Sequence, residues 1–226
     1  MPAPARYEIE LKLAGTAFHN RYPIWLYPDS VDTTAPPGVT VARSFDDNIR
    51  RKLDGGGSVV LIPELRDSDQ TSPVLFMTDF WCYPMFKRIT DSTKRQPSPG
   101  TMGLLIDPAH PALREFPTAV HTDWQWWHLV KNSRAFVLDG TPLEYKPEVQ
   151  VIDNVFRNHK LGLVFETRVG KGKLLVCGVD LPGLSARPEA RQLMRSLLSY
   201  AASGDFHPPA ELSPRLLAEV LSGGPR

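Results

Sequence analysis

The rhythm of apolar and polar positions changes once along the chain, near residue 39. Before it, residues 7–13 (Tyr-Glu-Ile-Glu-Leu-Lys-Leu) alternate strictly between apolar and charged side chains. That is the period of a half-buried strand with one wet face, the antiparallel kind. Residues 20–28 follow as an aromatic, extended stretch punctuated by Pro23 and Pro28. Beyond residue 39 the strands become continuous apolar runs, at 39–42, 59–63, 73–77, 102–106, 135–138 and 149–152. Runs of this kind belong to sheets covered on both faces.

Helical spacing separates these runs. Phe45, Ile49 and Leu53 share one face behind the cap-type residues Ser44 to Asp47, and Gly55-Gly56-Gly57 stops that helix. Residues 123–131 begin with cap-type residues and predict a short helix. Residues 161–166 and 173–179 flank Val169-Gly170-Lys171-Gly172, which reads as a hairpin closed by a glycine turn. Ala190, Leu193, Met194, Leu197, Leu198 and Ala201 keep the clearest 3.6-residue stripe, and Ser213-Pro214 caps a last helix. Apolar strands alternating with helices predict a three-layer α/β domain with a mostly parallel sheet over residues 29–226. Residues 1–28 stand outside that pattern, as an N-terminal β-segment that ends or links to a preceding β-domain.

Composition narrows the function classes. Lys+Arg number 26 against 25 Asp+Glu, so no net field draws nucleic acid or anionic lipid. No run approaches the roughly 20 apolar residues of a membrane span, and residues 1–6 carry no signal-type apolar core. Localisation is left open; a longer parent protein would be periplasmic or secreted. Cys82 and Cys177 form neither a metal spacing nor a disulfide framework, and both read as buried thiols. No metal or other cofactor is expected.

Several segments together resemble a known family. They are TDFWCYPMFKRI (78–89), GTMGLLIDPAHPAL (100–113), WQWWHLVKNSRAFVLD (124–139), the Gly170-Lys171-Gly172 hairpin and the aromatic run 20–28. Over residues 20–205 they are similar to a non-catalytic region of bacterial glycoside hydrolases of the family 2, β-galactosidase-like kind. In those proteins the run at 20–28 resembles the exit from a β-sandwich. The rest resembles an accessory domain with a flavodoxin or class I glutamine amidotransferase-like fold. The resemblance implies that the catalytic carboxylate pair lies on a separate (β/α)₈ barrel, for which this chain has too few strand–helix units. Glu64, Glu144 and Glu166 are therefore expected to be surface or turn carboxylates. The implied partners are the catalytic and β-sandwich domains of a parent hydrolase, with carbohydrate as a further ligand.

Two site readings remain open. An amidotransferase-like nucleophile would be Cys82 with His110 as its base. Against it, the elbow residues Phe80, Trp81, Tyr83 and Pro84 are bulky, and no histidine follows the strand at 174–179. The alternative is a ligand-contacting ledge at the strand ends, built from Asp79, Trp81, Tyr83, Asp107, Trp124 and Trp127, with Lys87 nearby. The rings at 124 and 127 equally fit a packed helix face or an interdomain contact. Asn154, Arg157, Asn158 and His159 read as a polar loop.

Overall fold

The computed structural model describes residues 1–76, 83–93, 100–155 and 157–222. Its main sheet has eight strands: β3 (Val39–Ala42), β4 (Ser58–Leu61), β5 (Thr71–Pro73), β6 (Gly103–Ile106), β7 (Arg134–Val137), β8 (Val149–Ile152), β9 (Lys160–Val169) and β10 (Gly172–Cys177). Among the strands of the described residues, β3 with β4 and β4 with β10 are the parallel pairs. The pairs β10–β9, β9–β7, β9–β8, β8–β6 and β7–β5 are all antiparallel. The expected three-layer, mostly parallel sheet of flavodoxin or amidotransferase type is therefore incorrect. The sheet is mixed and predominantly antiparallel.

The apolar runs still mean what they say about burial. Alternate residues of β4 and β10 enter two different cores. Val60 and Leu175 meet the α4 helix (Pro188–Ala202) on one face. Val59, Leu61, Leu174 and Val176 meet Ile49 and Leu53 of α1 (Asp47–Asp54) and Leu217 and Val220 of α5 (Pro214–Ser222) on the other. Burial on both faces thus reports helices above and below the sheet, and it is silent on strand direction.

Local chemistry fixes the elements. Asp46 caps α1, its carboxylate accepting from the Asn48 and Ile49 N–H groups at 3.0 Å. Gly170 turns the β9–β10 hairpin with φ +56°. Gly172 lies so close to α1 that a Cβ there would meet the Leu53 carbonyl at 2.5 Å. The strand expected at 73–77 is instead β5, ending at Pro73, and Phe76 makes an isolated parallel bridge to Thr101. Pro73 cannot donate to a ladder, which limits the run. The helix α2 (Tyr83–Thr93) begins with Pro84 in its first turn, a position that tolerates the missing N–H.

The N-terminal segment forms its own sheet. β1 (Ala5–Lys12) pairs antiparallel with β2 (His19–Leu26), and neither joins the eight-stranded sheet. The root of this hairpin is tied to the body. Trp25 donates its indole N–H to the Pro117 carbonyl at 3.1 Å, and the Tyr27 hydroxyl donates to Gln125 Oε1 at 2.8 Å.

Candidate functional site

The three tryptophans at 124–127 separate into two roles. Asp123 caps a 3-10 turn (Trp124–Trp126) that runs directly into α3 (Trp127–Lys131). Its carboxylate accepts from the Gln125 and Ala119 N–H groups and from the Gln125 side chain. Burial nonetheless raises the Asp123 pKa above the ordinary carboxylate range. The turn drives Trp126 inward, fully buried edge-to-face against Phe116, with its N–H donated to Thr118 Oγ1 at 2.8 Å. Trp124 and Trp127 point outward, 73% and 51% exposed, with ring centroids 6.0 Å apart. Lys131 sits over the Trp127 ring.

These two rings border a cleft of about 540 Å³ walled by Val74, Leu75, Phe76 and Val130 and closed at one side by Pro23 of β2. A shallower groove continues past Trp124 to Ile24, Trp25 and Tyr27. The aromatic ledge and the root of the hairpin therefore make one surface. Four polar residues, His121, Thr122, Asp123 and Lys131, also line the cleft, and two of them are committed inside the protein. Asp123 caps the turn, and Thr122 Oγ1 accepts from the Leu104 N–H at 2.9 Å. The two outward rings themselves offer an apolar surface, with His121 and Lys131 at its border.

The hairpin carries that character outward. Ile9, Leu11, Leu13, Phe18 and Tyr22 are all exposed, Phe18 at 75%. Ile9 stands across from Tyr22 in the ladder, and Tyr7 across from Ile24. Glu8 and Glu10 project from the opposite face, where Arg6 and Arg21 pair with them at 3.5 and 3.9 Å. Two strands with one apolar face and two unpaired edges are marginal alone in water.

The remaining expected site residues fall elsewhere. Asp79, Trp81 and Cys82 lie outside the described residues, and Tyr83 opens α2. Lys87 pairs with Asp91 at 2.6 Å on that helix. Asp107 is not in the wall of the cleft; its carboxylate accepts from the Ala109 N–H, ordering the turn that leads to His110. Cys177 is wholly buried, which pushes its thiol pKa up to about 12 and makes it an inert packing residue.

His110 caps the 3-10 turn Pro111–Leu113, its Nδ1 accepting from the Ala112 N–H at 3.3 Å. Burial lowers its pKa below the usual histidine range. Its Nε2 faces Glu166 Oε1 at 4.0 Å. Glu64 and Glu144 are exposed as expected, but Glu166 is buried in β9 and accepts from the Tyr200 hydroxyl at 2.6 Å. The expectation of a surface carboxylate fails there because β9 is covered on both faces along its length. In the polar loop, Asp153, not singled out from the sequence, is the hub: it is buried and accepts from Arg157 and from the His159 N–H.

Residues 40–222 match the family described as Domain of unknown function (DUF8487). No curated protein matches the chain.

Proposed function

The chain belongs to the DUF8487 family, and we propose that it serves as a non-catalytic accessory domain of a β-galactosidase-like glycoside hydrolase, docking against an antiparallel β-domain. The observation that carries this reading is the β1–β2 hairpin. It is held to the body at Trp25 and Tyr27, it belongs to no larger sheet, and it presents five large apolar side chains to solvent. An apolar face of this size marks a contact surface. The resemblance of residues 20–28 to the exit of a β-sandwich points to the same neighbour. The ledge of Trp124 and Trp127 extends the surface along the body, and aromatic residues are enriched in such contacts. The largely apolar walls of the cleft, Val74, Leu75, Phe76 and Val130, support a protein neighbour over a sugar, which needs hydrogen-bonding groups around a stacked ring.

The test is binding between this chain and a separately produced β-sandwich domain of a family 2 hydrolase from the same source. A one-to-one complex is expected by analytical ultracentrifugation, and Ile9→Asp with Leu11→Asp is expected to abolish it while circular dichroism of the chain is unchanged. Absence of a complex, or a complex indifferent to those substitutions, would overturn the docking reading. The non-catalytic half is tested with nitrophenyl glycosides. Turnover by the purified chain alone, at rates typical of enzymes, would contradict it. Tryptophan fluorescence titrated with galactosides is expected to stay flat in the isolated chain.

A further inference from the structure

Three side chains from three distant segments converge behind α4, away from the docking surface. His110 comes from the turn after β6, Glu148 immediately precedes β8, and Glu166 lies within β9. One ligand atom from each lies within 4.8 Å of the other two. A register shift between Val149 and Gln150 interrupts the β8–β9 ladder beside Glu148, the kind of irregularity that re-aims a neighbouring side chain.

The arrangement is unusual for a purely structural cluster. Glu148 is only 9% exposed, yet its Oε2 is buried without a hydrogen-bond partner. Among the described residues no lysine or arginine forms an ion pair with Glu148 or Glu166, and His110 is the one basic group facing them. Two carboxylates taken out of water side by side, one with an orphaned oxygen, are costly unless they take up a proton or a positive charge lies between them.

We propose that His110, Glu148 and Glu166 form a binding site for a divalent transition-metal ion of the zinc class. One imidazole and two carboxylates are a familiar ligand chemistry for such an ion, and the pair of carboxylates balances its two positive charges. The ligand atoms lie within 4.8 Å of one another, wider than the roughly 3.3–3.6 Å between ligands of a tetrahedral zinc shell with bonds of about 2.0–2.2 Å. The three side chains therefore close inward when the ion binds. His110 coordinates through Nε2, so its proton moves to Nδ1 and the long 3.3 Å cap bond from Ala112 is given up. Tyr200 acts as a positioning residue. Its hydroxyl holds Glu166 Oε2 at 2.6 Å and its ring meets the His110 ring edge-on at 5.4 Å, which leaves Glu166 Oε1 for the ion. His110 is the partly exposed member of the three and gives the ion its way in.

The experiment is titration of the chelator-treated full chain with Zn²⁺ by calorimetry and by thermal unfolding, repeated with Co²⁺ to read its visible absorption. One ion per chain, a melting temperature that rises with Zn²⁺ concentration, and Co²⁺ bands of a nitrogen- and oxygen-ligated site are expected. His110→Ala should abolish all three. Glu148→Gln, which keeps the side-chain shape, should weaken binding at least about tenfold, and Tyr200→Phe by about 10–100-fold at unchanged stoichiometry. His207→Ala, on the surface, should leave binding intact. No saturable one-to-one response, or a response that survives both His110→Ala and Glu148→Gln, overturns the site and leaves the space between the three side chains to a water molecule.

Discussion

Gly178→Ala is expected to lower the stability of the domain by about 3 kcal/mol or more, a drop of roughly 6–12 °C in melting temperature for a chain of this size. Gly178 follows β10 and donates its N–H to the Leu163 carbonyl at 2.8 Å, while its own carbonyl accepts from the Arg134 N–H at 2.9 Å. A Cβ at this position would overlap the Arg134 carbonyl and approach the Phe136 ring at 3.2 Å. Its φ is not in the left-handed region, so the penalty arises from contact alone and not from backbone conformation. The colliding partner is backbone, which cannot rotate away as a side-chain end would. Either β7 shifts from β9 and β10 or the hydrogen bonds at Gly178 open. Urea unfolding should show a lower midpoint at unchanged slope. Gly204→Ala is the control, since nothing lies within 4 Å of its added methyl group and its φ is ordinary; it should unfold with the parent.

The same sheet shows which inferences from sequence carry weight. The helical stripe from Ala190 to Ala201 and the glycine turn at 170 both predict what forms, because each is a local pattern satisfied by local geometry. Strand direction is not local. The runs in β4, β9 and β10 are apolar because helices lie on both sides, and that condition holds equally for a parallel or an antiparallel neighbour. The Gly170 turn held the stronger hint. A hairpin through the middle of the sheet makes β9 antiparallel to β10, and β7 and β8 then pair antiparallel to β9 as well.

Site residues divide along the same line. The apolar set of β1 is visible in its strict alternation, but that period predicts a half-buried strand, and the structure leaves Ile9 and Leu11 exposed. Glu166 could be picked out as a carboxylate ending the run Leu161-Gly162-Leu163-Val164-Phe165, though as a surface or turn group. Its partners could not, since His110, Glu148 and Tyr200 reach it only through the tertiary fold. His110 is the base expected for Cys82, which lies outside the described residues; among those described, its Nε2 faces the buried carboxylate of Glu166.

The largest contrast within a single short stretch is expected in Trp124-Gln125-Trp126-Trp127. Trp126→Ala should cost about 3–5 kcal/mol, whereas Trp124→Ala and Trp127→Ala should each cost within about 1 kcal/mol. Trp126 is fully buried among Leu113, Phe116, Leu129 and Val130, so its removal leaves a cavity that the flanking turn and β6 cannot close. It also removes the N–H that the Thr118 hydroxyl accepts. Trp124 and Trp127 lose only their mutual contact and, for Trp127, the Lys131 ammonium above the ring. An i, i+3 reading as a continuous α-helix pairs positions 124 and 127 on one inward face. The Asp123 cap and the 3-10 turn rotate that face, and the inward set becomes Trp126, Leu129 and Val130, itself spaced i, i+3, i+4. Urea unfolding of the three variants separates the two registers directly. If Trp124→Ala were as destabilising as Trp126→Ala, the ledge would be part of the core and the docking surface would lose Trp124. If the stabilities split as expected, Trp124→Ala and Trp127→Ala become the substitutions of choice for weakening the β-domain contact without unfolding the chain.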